Sequence, residues 1–137
     1  MDRRETASGR DLLNLAAQYR VAAVKLGETL SKPTDLPQRL LGLHAIELYL
    51  DALLLTKGCG HDTSLQHDLG ERAQRAVAAG LVLRKRTLAH LLTLSSSTEY
   101  LVVRYAPERT STLSQVNRAM ATLEEISRKV PKMVKSK

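Results

Sequence analysis

The stretch LHAIELYLDALLLTKG, Leu43 to Gly58, decides the fold. Its apolar residues fall on every side of an α-helix, so the helix must be enclosed by other elements rather than lie on a surface. The exceptions are His44, Glu47 and Asp51, spaced by three and four residues. At 100° per residue they form one narrow line, within about 60°. The segment therefore reads as a central helix with a single polar seam. Such a seam faces either solvent or a cleft or subunit interface, and in the second case its buried polar groups need partners such as arginines.

Working outward, Leu12, Leu15, Ala16, Tyr19, Ala22, Ala23, Leu26 and Leu30 step by three and four, which predicts a first helix from about Arg10 to Leu30. Pro33 and Pro37 bracket a linker. Asp35 as cap acceptor, Pro37 in the first turn and Gln38 start the central helix near Leu36, and Gly58 closes it in the left-handed conformation. GCGHDTSLQ reads as a loop. Asp68 and Glu71 make a capping box for a third helix that ends at Gly80. Leu88, Leu91, Leu92 and Leu94 mark a fourth, with Ser95 to Thr98 as a possible break before YLVVRYAP. Thr112 and Gln115 cap a last helix with Leu113, Val116, Met120, Leu123, Ile126 and Val130 inside, closed by Pro131. Long helices joined by short loops predict an all-α, up-and-down bundle of four to five helices. Residues 1–130 form a single domain on this reading, followed by a frayed basic tail over 131–137.

Composition narrows the function. A chain of 137 residues with 43% hydrophobic and 26% charged residues fits one globular domain with an aliphatic core, since it has no Phe or Trp and four Tyr. The shortage of aromatic side chains disfavours base stacking on an aromatic platform. No apolar run approaches the roughly 18 to 20 residues of a membrane span. MDRRETASGRD lacks the apolar centre of a signal peptide, so the expected setting is cytoplasmic. The single Cys59 has no metal-ligand spacing around it and reads as incidental. Charge is lopsided: residues 1–68 hold eight Lys/Arg and nine Asp/Glu, a net −1, whereas residues 69–137 hold thirteen and five, a net +8. That imbalance suits an acidic partner such as RNA, phosphate or an acidic protein, although a solvated face with a Lys-rich tail would look the same.

Among candidate sites, GHDTSLQHDLG with His44 has some of the ligands of an HD-type phosphohydrolase, but Asp68 is the last aspartate of the chain and the closing ligand is missing. P-loop, GxGxxG, CxxC and HExxH patterns are all absent, so no metal or cofactor is expected. Arg84 and Arg86 before His90, in RKRTLAH, are the one catalytic alternative. His90 would activate a ribose 2′-hydroxyl while an arginine steadied the phosphate. Arg84 lies about 120° from His90 on a continuous helix, while Arg86, one turn away, shares its face.

Taken in order, LHAIELYLDALLLTKG, HDLGERAQRAVAAGL and YLVVRYAPE resemble the prokaryotic HEPN domain pattern over about Leu40 to Glu108. The resemblance implies an all-α bundle, often a homodimer. It also implies one of two functions: a metal-independent ribonuclease toxin paired with a nucleotidyltransferase-like partner, or a non-catalytic module that binds nucleotide, RNA or protein. The discriminator is a histidine four to six residues after the late-helix arginine. That arginine falls on Arg104, and no histidine follows it, so the resemblance points to the non-catalytic kind. It further suggests that His67, Arg104 and Tyr105 gather near the His44, Glu47 and Asp51 seam, with Arg104 pairing Glu47 or Asp51 as a clamp or as the wall of an anion-binding cleft.

Overall fold

A computed structural model describes residues 8–29, 35–59, 68–97 and 116–135. It is an all-α helical bundle. Five helices make up the described residues, with no strand among them: α1 Gly9–Thr29, α2 Asp35–Thr56, α3 Leu69–Ala78, α4 Lys85–Ser97 and α5 Val116–Lys135. None of them is long and apolar enough to cross a membrane.

α2 is the centre. Leu43, Ala45, Ile46, Leu48, Tyr49, Leu50, Ala52, Leu53 and Leu54 are all buried, and α2 packs against α1, α3 and α5. α1 lies antiparallel to α2, its Gly9 close to Thr56 and Ala52 and its Gly27 close to Gln38. α5 runs parallel to α2, with Met120 and Leu123 against Gly42. α4 lies antiparallel to α5, as pairings of Thr87 with Glu125 and of His90 with Thr122 require. The aliphatic core contributed by α2, α3, α4 and α5 includes Leu50, Leu53, Leu69, Leu91, Leu123 and Ile126.

Local chemistry explains the boundaries. α1 starts one residue before the expected Arg10 because Ser8 and Asp11 cap it reciprocally, the Asp11 N–H donating to Ser8 Oγ and the Ser8 N–H to Asp11 Oδ2. α3 is capped as expected, Asp68 accepting from the Glu71 N–H at 2.9 Å. Gly58 and Gly80 take φ of +81° and +116°, the left-handed side that glycine tolerates. Gly80→Ala should therefore cost about 1 to 2 kcal/mol in urea unfolding, with no change of helix content.

At two further boundaries the structure decides what the sequence left open or set differently. Ser95, Ser96 and Ser97 belong to α4, and Thr98 lies outside the described residues. Pro131 does not close α5, which continues to Lys135. A proline removes one N–H donor from the ladder, but Val130, Met133 and Val134 continue the inward stripe and pack on the core, which holds the extra turn. Residues 131–135 are thus helix rather than frayed tail. The expected caps Thr112 and Gln115, the YLVVRYAP segment and the side chain of Asp35 lie outside the described residues.

Candidate functional site

The polar seam of α2 meets an arginine, and the arginine is Arg72 of α3. Its position follows from α3's own pattern: Leu69, Arg72, Ala73 and Ala76 form the inward stripe, so the helix carries a guanidinium into the core along with its apolar face. Arg72 is 3% exposed. Its Nε donates to Asp51 Oδ1 at 2.8 Å, an Nη lies 3.8 Å from Glu47 Oε2, and the other Nη donates to the Asp68 carbonyl at 3.3 Å. One cation thus joins two carboxylates of the central helix and the first turn of its own helix. Burial makes such an arrangement obligatory, because either partner alone would be a desolvated charge.

His44, the third member of the seam, sits differently. Its ring meets Tyr19 of α1 edge-on, with centroids 4.5 Å apart and planes at 81°, a favoured aromatic geometry. The seam therefore divides between two neighbours, Tyr19 on one side and Arg72 on the other. His67, Arg104 and Tyr105 lie outside the described residues, and Arg72 is a partner of both Asp51 and Glu47.

A second buried polar cluster joins α4 to α5. Glu125, 2% exposed, accepts from the Arg84 N–H at 2.9 Å, the Thr87 hydroxyl and Lys129 Nζ at 2.7 Å. Lys129 Nζ also donates to the Val82 carbonyl at 2.8 Å. Arg84 is no capping residue, so the amide end of α4 is capped from outside by a carboxylate of another helix. Burial pushes the Glu125 carboxyl up, but hydrogen bonds from Lys129, Thr87 and the Arg84 N–H outweigh it and hold the carboxyl at about 2.

His90, the alternative general base, is buried with 6% exposure, and its Nδ1 lies 2.7 Å from Thr122 Oγ1. Burial first, and the neighbouring Arg118 second, lower its pKa to about 4. Arg84 and Arg86 are exposed. One turn of helix leaves an offset of about 40°, and here it straddles the edge of the buried face, so Arg86 and His90 do not present to one surface. Arg84 precedes the helix altogether. The spacing argument for Arg86 fails because it locates a shared face without saying where that face ends.

Other chemistries find little support among the described residues. No group of three His, Cys, Asp or Glu side chains there could hold a metal ion. Cys59 is exposed. A cleft between α1, α2 and α5, lined in part by Leu13, Tyr49 and Pro131, has a volume of about 110 Å³, below the roughly 300 Å³ at which pockets begin to enclose a small-molecule ligand, whereas a shallow groove beside Lys57, Cys59, Arg75, Ala78 and Ala79 has about 530 Å³.

Comparison of the chain with protein-family models, with curated proteins and with solved structures gave no match.

Proposed function

We propose that the chain is a non-catalytic, HEPN-like binding module, a homodimer that recognises an anionic nucleotide or RNA or a protein partner such as a nucleotidyltransferase-like protein. The observation that carries this reading is how its interior polar groups are engaged. Arg72 is held by Asp51, Glu47 and the Asp68 carbonyl, Glu125 by Thr87, Lys129 and the Arg84 N–H. His90 faces Thr122 inside the bundle. Each joins one helix to another, as a scaffold requires, whereas a general acid or base must reach a reacting atom at about 2.6 to 3.2 Å. The missing histidine after Arg104 supports the same side of the family division.

The test is direct. Purified protein incubated with mixed RNA in EDTA should leave the RNA intact over hours. Metal-independent cleavage lost on His90→Ala, in a variant that still unfolds cooperatively, would replace this reading with the ribonuclease.

A further inference from the structure

Six cations of the second half of the chain, on the α3–α4 turn, the start of α4 and α5, are exposed near one another. Lys129 reaches the Val82 carbonyl and Glu125 accepts the Arg84 N–H, so the turn between α3 and α4 lies directly along residues 125–129 of α5. Arg84, Lys85 and Arg86 project from that turn into solvent, and Arg128, Lys132 and Lys135 are exposed on α5. None of the six side chains has a carboxylate partner among the described residues. The sequence explains why: no Asp or Glu occurs between Arg72 and Thr98, and Glu125, the acid nearest the turn, is buried under Lys129. Six like charges held together without neutralisation repel one another, an arrangement that an anion relieves.

We infer that this ridge, made by the α3–α4 turn and the outer face of α5, binds the phosphodiester backbone of a nucleic-acid strand. The inference rests on the binding-module reading and specifies its ligand and location. Cations placed one helical turn apart on α5 are about 6 Å from each other, a spacing suited to successive charges along a strand. Val82, 75% exposed, is the large apolar side chain exposed on the turn. An anionic membrane would call for an apolar face to insert, and a protein partner for an uncharged, aromatic-rich centre; the ridge offers neither. With no Phe or Trp in the chain, binding depends on phosphates rather than stacked bases, so it is tolerant of sequence and steep in salt.

The test uses the full chain and a mixed-sequence, 2′-O-methylated single-stranded RNA, which lacks the hydroxyl that an endoribonuclease would use. For about four phosphates neutralised, affinity should fall roughly 50-fold between about 50 and 200 mM salt. The variant Lys85→Gln, Arg86→Gln, Arg128→Gln, Lys132→Gln spares the Glu125 network and should fold normally. It should bind at least about 30-fold more weakly at low salt, with a flatter salt dependence. The control Lys25→Gln, exposed near the end of α1 where Gly27 meets Gln38 and remote from the ridge, should bind like the parent. Equal binding by the ridge variant overturns the inference and leaves the binding-module reading standing. So does binding to nucleotide or to a protein partner without binding to the strand, whereas binding only to vesicles of anionic phospholipid overturns both. Cleavage of unmodified RNA would instead overturn the non-catalytic reading, while the methylated strand still decides the ridge.

Discussion

Arg72→Met is expected to lower the free energy of unfolding by about 3 kcal/mol, read from urea denaturation with an unchanged slope. Methionine keeps much of the side-chain volume, so the loss isolates the charge. Without the guanidinium, the buried Glu47 and half-buried Asp51 lose a cation that both approach, and the Asp68 carbonyl loses a donor. An abandoned buried charge is far more costly than a missing attraction, which is why cutting one partner of such a pair is severe. The same logic gives an opposite result for the whole cluster. Arg72→Met combined with Glu47→Met and Asp51→Leu should recover most of the stability, because well-packed apolar side chains replace buried ion pairs at little cost. If the triple variant remained as weak as the single one, the seam would be contributing something other than charge compensation.

Glu125→Ala is expected to cost a similar amount, about 3 kcal/mol, since it abandons the Thr87 hydroxyl, the Arg84 N–H and Lys129 at once. It should also change how the protein responds to acid. The Glu125 carboxyl titrates at about 2 in the folded chain against an ordinary 4.5. Its contribution is present in full above the unfolded value and disappears as pH falls from about 4.5 through 2. His90 is likewise depressed, to about 4 from 6.5, because the fold holds the neutral ring. Its contribution is complete above pH 6.5 and declines as pH falls through 4, where the ring must be charged inside the bundle. Acid therefore weakens the parent protein in two overlapping steps. Glu125→Ala should erase the lower step and keep the upper one, measured as unfolding free energy against pH. An unaltered profile below pH 4.5 would show that Glu125 is not the group responsible.

How much of this was legible in the sequence depends on what each residue had to reveal. The all-α bundle, the central placement of Leu43 to Gly58 and the Asp68 cap of α3 follow from periodicity and turn chemistry, which are local properties. The local rule that proline stops a helix does not hold at Pro131, where tertiary packing of Val130, Met133 and Val134 prevails. The seam of His44, Glu47 and Asp51 is visible in spacing alone, and so is its need for an arginine. Which arginine is a question of topology, and the family resemblance directed attention to Arg104. The signal for Arg72 was nevertheless present: a lone arginine in the middle of the Leu69, Ala73, Ala76 stripe has nowhere to point but inward. Ser8 and Asp11, three residues apart, are a similar local signal for the start of α1. The Glu125 network had no local signature, because it joins residues 38 and 41 positions apart.

A double-mutant cycle between Arg72 and Asp51 tests most directly the claim that the carboxylates of the central helix are a clamp. Unfolding free energies of the parent, Arg72→Met, Asp51→Asn and the double variant should show a coupling of about 1 to 3 kcal/mol, the double variant losing less than the two single losses combined. Losses that add within about 0.5 kcal/mol would mean that the two side chains do not act on one another, and the clamp would be contradicted.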